Sequence, residues 1–257
     1  MTSGKKTAIV TGGLSGIGLA IARRLAADGM TVVVGARSAG KEVHVNKVLG
    51  ADAKHIHAAA LDVQSRDSVD AFVAEVVKAQ GGVDILVNAA GVYKESAMID
   101  HPEQIWDDHL NTNLSGTFRM IRAVMPHMKQ TGWGRIINIA SVAAHNGMAN
   151  NAAYCASKAG LLGLGRCVSL EGAAHGITCV SISPTWVETE MLRRFINADM
   201  QANGQTLEQV RAEYAKSNPQ NQLVQPSEVA ELAAFLASDA ARALTMEDFQ
   251  INAGSLW

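Results

Sequence analysis

Tyr154 and Lys158 stand four residues apart in the segment "YCASK", a spacing that puts both side chains on one face of a helix. A free phenol titrates near ~10, too high for a general base at neutral pH. An ammonium beside it favours the phenolate and draws the group toward working pH, where it can exchange a proton with a substrate. Ser141 lies thirteen residues earlier, at the end of the apolar run "GRIINIA". A hydroxyl at a strand end can hydrogen-bond a substrate oxygen and stabilise charge that develops there.

A second stretch names the kind of ligand. Residues 11–18 read "TGGLSGIG", directly after the apolar run "TAIV". Glycine weakens the backbone, so a cluster of four needs a reason. A strand-to-helix turn supplies one: a pyrophosphate approaches the bare backbone and rests on helix N–H groups at the positive end of the dipole. In that reading Gly12 makes the tight turn, Gly16 allows the close approach, and Gly18 lets helix pack on strand. Ser15 and Ile17 then line the same ligand. The spacing T-G-x-x-x-G-x-G differs from the commoner G-x-G-x-x-G.

These groups have to be positioned by regular elements. Apolar, β-branched runs recur at 7–11, 31–35, 55–62, 84–88, 134–140, 177–183 and 249–252. Helical spacing fills most gaps between them. Ile17, Ala20, Ile21 and Leu25 form one stripe that ends at Gly29; Ser65 or Asp67 caps a helix that closes at Gly81 and Gly82. Alternating strand and helix predicts an α/β domain whose parallel sheet is covered on both faces. No composition break divides the 257 residues, so one domain spanning 1–257 is expected. The polar stretch 189–225 is the exception and reads as a lid over a site.

Composition narrows the function. Hydrophobic residues make up 48% and charged residues 18%, with a net charge of −2. That is ordinary globular composition, and it gives no basic face for nucleic acid. No apolar run reaches membrane-spanning length, and the start "MTSGKKTAIVTGG" lacks a signal-peptide layout. Cys155, Cys167 and Cys179 read as reduced core thiols of a cytoplasmic protein. His55 and His57 have no acidic or thiol partners at metal-like spacing, so no metal is expected.

At this point the chain resembles the short-chain dehydrogenase/reductase family of single-domain type, over nearly its whole length. "TGGLSGIG" matches the family's cofactor turn. "LDV" supplies Asp62 and Val63 for the adenine. "VNAAG" supplies Asn88 and Gly91, with Ala89 where the family has a second Asn. "NTNLSGTF" supplies Asn113, "INIASVAA" supplies Ser141, and "YCASK" is the Tyr-x-x-x-Lys signature. "SPTWVET" supplies Val187 and Thr189, with Thr185 where the family usually has Gly. The resemblance implies a Rossmann-like, doubly wound parallel sheet of about seven strands and an NAD(P)-dependent interconversion of a secondary alcohol and a carbonyl. It places Tyr154 as acid/base, Lys158 on the nicotinamide ribose, and Asn113 at a helix interruption that holds a relay water. It also implies a homotetramer, pairing through helices near 112–130 and 152–175.

The strand "VVVGARS" ends with Ala36 where an acid would select NAD, and Arg37 follows with Ser38 and Lys41 nearby. An Arg suits a phosphate through charge-assisted bonds, so NADP is expected and NAD is the second choice. Ser15 speaks the other way, since many NADP-preferring members carry a basic residue there. Tyr93, Ala143, His145, Met148, Trp186, Met191 and Phe195 are expected to line a moderately apolar pocket for an alcohol or carbonyl substrate. The stretch 141–187 somewhat resembles hydroxybutyrate dehydrogenases, without their carboxylate-binding polar cluster. The alternatives are a catalytically silent dinucleotide-binding regulator and a sugar-nucleotide epimerase or dehydratase.

Overall fold

The apolar runs become seven strands: β1 (Thr7–Thr11), β2 (Thr31–Ala36), β3 (Ile56–Ala60), β4 (Ile85–Asn88), β5 (Gly134–Ile139), β6 (Ile177–Pro184) and β7 (Asp248–Ile251). The structure is a computed structural model that describes residues 5–255. All strands pair in parallel, in the order β3-β2-β1-β4-β5-β6-β7. The order reverses between β1 and β4, the point where parallel α/β sheets open a crevice beyond the strand ends.

Two cores flank the sheet, because successive side chains of a strand point to opposite faces. Ala8 and Val10 of β1 pack with Ile21 and Leu25 of α1 (Gly16–Ala27), Leu49 of α2 (Glu42–Leu49) and Val229 and Ala233 of α9 (Pro226–Leu236). Ile9 packs on the other face with Val69 and Phe72 of α3 (Arg66–Gln80), Met120 and Val124 of α5 (Gly116–Thr131) and Val168 of α6 (Ala152–Ala173). Ser65 caps α3 by accepting from the Ser68 N–H, and Gly81 ends it in the left-handed conformation. A shorter helix, α4 (Glu103–His109), runs into α5 through a π-helical turn at Leu110–Ser115.

The polar stretch 189–225 forms two lid helices, α7 (Glu190–Asn203) and α8 (Leu207–Lys216), with a small core of Leu192, Ile196, Val210 and Leu223. A Val187–Val224 bridge and a bidentate Arg211–Glu188 pair tie this lid to its base.

Two expectations change. Only Cys179 is a core thiol; Cys167 is exposed and Cys155 partly buried. Burial pushes the Cys179 thiol up to about 12. The glycine roles also shift. A Cβ on Gly13 would meet Val34 at 2.5 Å, so Gly13 makes the contact with the neighbouring strand. A Cβ on Gly18 would lie 2.6 Å from the Gly12 carbonyl oxygen, so Gly18 presses on the turn itself. Gly12 and Gly16 have φ of +67° and +49°, which L side chains rarely adopt.

Backbone cannot rotate away as a side chain does, so Gly18→Ala overpacks. Alanine's better helix propensity returns ~1 kcal/mol, leaving a net loss of about 1 to 2 kcal/mol. Urea unfolding should show the lowered midpoint; an unchanged midpoint would mean the turn yields. Trp257 lies outside the described residues.

Candidate active site

Two cavities open at the C-terminal ends of the strands and share Gly91 and Val92. The larger, about 540 Å³, runs past Gly12, Ser15, Ala36, Arg37, Asp62 and Val63. The smaller, about 330 Å³, lies beneath the lid and holds Ser141, Tyr154 and Lys158. An extended double cleft of this kind suits a dinucleotide along one limb and a reacting small molecule at the other.

Ser141 follows β5 as the N-cap of a short 3₁₀ turn, and its Oγ accepts the Ala143 N–H at 3.2 Å. The Ser141 hydroxyl lies close enough to the Tyr154 phenol to draw its pKa down. Tyr154 and Lys158 share a face of α6, with the Lys158 Nζ 5.7 Å from the Tyr154 ring centroid. The Lys158 Nζ donates to the Ile139 carbonyl at 2.7 Å, which anchors it at the end of β5. Tyr93 and Tyr154 meet edge to face at 4.7 Å, and Phe195 of the lid meets Tyr93 at 4.8 Å. The phenol is therefore held from three sides.

Electrostatics here depart from the sequence expectation. Burial raises the Tyr154 pKa above that of a free phenol, and the nearby Ser141 hydroxyl only partly offsets it. Burial also lowers the Lys158 ammonium to about 8. In this state the phenol is a proton donor at neutral pH. It becomes a base only when further positive charge or a bound substrate oxygen stabilises the phenolate.

The lysine gives a test. Its folded pKa, about 8, lies below its ordinary 10.5. The unfolded chain thus holds more protons between those values, and stability rises with pH across that window. Below about pH 8 the cost of burying the charge is fully present. Urea unfolding of wild type against Lys158→Met should show wild type gaining relative stability from about 8 toward 10.5. A difference flat in pH would contradict the burial.

The residues present fit a dinucleotide. Ser15 makes no side-chain cap on α1, and the first turn of α1 carries no acid, so its N–H groups are open to an anion. Arg37 stands exposed on the cleft wall beyond β2, without an ion pair among the described residues. Ser38 lines the same wall and Lys41 does not. Asp62 is fixed by a bond from its own N–H to the Ser68 Oγ and by one from the Gln64 N–H to its carboxylate. Ile17, Val187 and Thr189 line the smaller cavity instead, where the dinucleotide limb meets the reacting group. A Cβ on Gly16 would touch the Thr189 methyl at 3.3 Å, so the lid begins against the glycine turn.

Several expected contacts fall elsewhere. Asn88 is buried in the sheet, where it donates to the Asn138 side chain, and it lines neither cavity. Gly18 likewise packs behind the turn. Asn113 does interrupt its helix, since it sits in the π turn. Its amide, however, accepts from the Val92 N–H and donates to the Val92 carbonyl and the Ser157 Oγ. That side chain straps the loop shared by both cavities rather than reaching into them. Ala143 is buried behind Ser141, and Val142 faces the cleft in its place. His145 points to the edge strand β7 and pairs with Asp248 at 2.7 Å. Tyr93, Met148, Trp186, Met191 and Phe195 do line the cleft.

Sequence reasoning passed over Asn146, Leu192, Ser217 and Ser255, which line the smaller cavity together with Thr185, and Glu190 and Arg194, which line the larger. The lid residues carried one usable signal: Thr189 as a helix cap, with Glu190 and Arg194 four apart behind it.

Residues 6–200 match the short chain dehydrogenase family. The chain is 39% identical to the D-beta-hydroxybutyrate dehydrogenase of Rhizobium meliloti, covering 97% of this chain and 98% of that protein. It is 38% identical to the 3-oxoacyl-acyl-carrier-protein reductase FabG of Salmonella typhimurium, covering 97% and 96%. A solved tryptophan variant of actinorhodin polyketide ketoreductase with NADPH superposes with a TM-score of 0.91 at 36% identity, covering 98% and 97%. The chain belongs to the short chain dehydrogenase family, and its fold and relatives are those of an oxidoreductase.

Proposed function

We propose that this chain interconverts a carbonyl and a secondary alcohol with NADP(H), and that the convergence of Ser141, Tyr154 and Lys158 in the smaller cavity, which meets the larger at Gly91 and Val92, carries that reading. The bound cofactor supplies or accepts the hydride. Ser141 holds the substrate oxygen and offsets the negative charge that builds on it in reduction. Tyr154 gives that oxygen its proton, and the raised phenol pKa suits a donor. Lys158 keeps positive charge beside the ring and stabilises the phenolate left behind. Gly12, Ser15, Gly16 and the N-terminus of α1 seat the pyrophosphate, Arg37 takes the 2′-phosphate, and Asp62 and Val63 flank the adenine. A silent dinucleotide-binding regulator has no use for a phenol opening onto a substrate cleft.

The relatives' names point to acyl groups oxygenated at the β-carbon. Among the described residues lining the smaller cavity, Lys158 is the only cation. Tyr93, Trp186, Met191, Leu192 and Phe195 give it a large apolar surface. A neutral β-keto thioester or ketone fits that lining, and a free carboxylate finds no cation in it besides Lys158, which the Ile139 carbonyl already engages.

The test is cofactor oxidation against an acetoacetyl thioester, acetoacetate and a cyclic ketone, each with NADPH and NADH. Reduction of the neutral substrates with NADPH is expected, and a preference for acetoacetate would contradict the pocket reading. No helix among the described residues is long and apolar enough to cross a membrane. We place the enzyme in the cytoplasm as a homotetramer; Phe118 on α5 and Leu170 on α6, 48% and 69% exposed, support self-association. Sedimentation reads the assembly directly.

A further inference from the structure

We propose that Arg194, on the second turn of the lid helix α7, is a pyrophosphate-binding cation that closes the lid onto the dinucleotide; this rests on the dinucleotide reading of the larger cavity. Three observations place it there. Glu190 and Arg194 are the lid's contribution to the wall of that cavity, which Ser15 and Arg37 also line. Thr189 caps α7 and lies against Gly16, so α7 starts at the glycine turn and its first two turns overlook the N-terminus of α1. The spacing of four puts Glu190 and Arg194 on one face, and their ion pair measures 3.0 Å.

Charge balance then assigns the role. A pyrophosphate diester carries two negative charges, and a helix N-terminus offers only about half a positive charge. Ser15 and Gly16 add no cation. Arg37 stands at the far end, beyond β2, where the adenosine ribose belongs. Of the two arginines that line this cavity, Arg194 is the one left to face the phosphates; His44, the other basic side chain on its wall, sits on α2 beside Arg37's end of the cleft. Its present partner holds it weakly, since the two side chains are 76% and 68% exposed and such surface pairs contribute little. An incoming diphosphate repels Glu190 and offers Arg194 a bidentate, doubly charged acceptor in its place. The exchange draws α7, and Phe195 beside Arg194, toward the cleft.

The experiment is fluorescence titration of NADPH and of NADH into wild type, Arg194→Gln, Glu190→Gln and Arg37→Ala. Both lid positions are exposed, so folding is retained, and a thermal melt checks it. Both nucleotides share the pyrophosphate and only NADPH has the 2′-phosphate. Arg194→Gln should therefore weaken both by the same factor, about fivefold to tenfold. Glu190→Gln removes the competing anion and should tighten both about twofold. Unchanged affinities in Arg194→Gln, loss of NADPH binding alone, or weakening of both in Glu190→Gln would overturn the assignment. Wild type that binds neither nucleotide would overturn the dinucleotide reading along with it, whereas tight wild-type binding with an indifferent Arg194 would overturn the inference alone.

Discussion

Tyr154→Phe is expected to lower kcat about a thousandfold, while the NADPH dissociation constant stays within about twofold. The substitution removes one oxygen and keeps the ring. The edge-to-face contact with Tyr93 persists, and so does the packing of α6. What goes is the proton that the substrate oxygen receives, together with the polar influence of Ser141 on the phenol. Positioned general acids contribute about a hundredfold to ten-thousandfold, and the remaining rate comes from orientation and the Ser141 hydroxyl. Burial holds the phenol protonated, so reduction in wild type should persist at neutral pH and fall as the phenol or its neighbours lose protons at high pH. A Phe variant that keeps more than about a tenth of wild-type kcat would show that the proton comes from elsewhere.

Arg37→Ala is expected to weaken NADPH about tenfold to a hundredfold and to leave NADH within about twofold. Arg37 is exposed and unpaired among the described residues, so the substitution removes little from the fold. Adding Ala36→Asp should go further, because a carboxylate at the end of β2 accepts from the ribose hydroxyls and repels a 2′-phosphate. That double variant should prefer NADH. Equal losses for both nucleotides in Arg37→Ala would move Arg37 from the ribose end to the pyrophosphate.

Sequence patterns reveal the scaffold because a parallel sheet buried on both faces must be apolar along every strand. β1 and the cap at Ser65 fall where the apolar run and the serine place them. The lid was visible as a polar gap, and its Thr189 cap could be read from the sequence. Side-chain direction in the loops was not. Ala143, His145 and Val142 are consecutive or nearly so after Ser141, and the 3₁₀ turn alone decides that Val142 faces the cleft and His145 the edge strand. Asn88 ends its strand beside Asn138, a partner fifty residues away that no local pattern announces. Asn113 reads as a polar break in a helix, but its strap on Val92 appears only when β4 and α5 are brought together. The electrostatics of Tyr154 were only half legible for the same reason: spacing shows the neighbouring lysine and hides the burial of both groups, which raises the phenol until a cationic nicotinamide adds its charge.

The central claim is that the junction of the two cavities transfers a hydride to a carbonyl carbon while Tyr154 protonates its oxygen. The most direct measurement is reduction of a neutral β-keto thioester with NADPH carrying deuterium at the transferring position, followed by mass spectrometry of the alcohol. The account predicts one deuterium on the carbinol carbon from wild type and almost no product from Tyr154→Phe. Alcohol without the label, or labelled alcohol formed equally well by the variant, would contradict it.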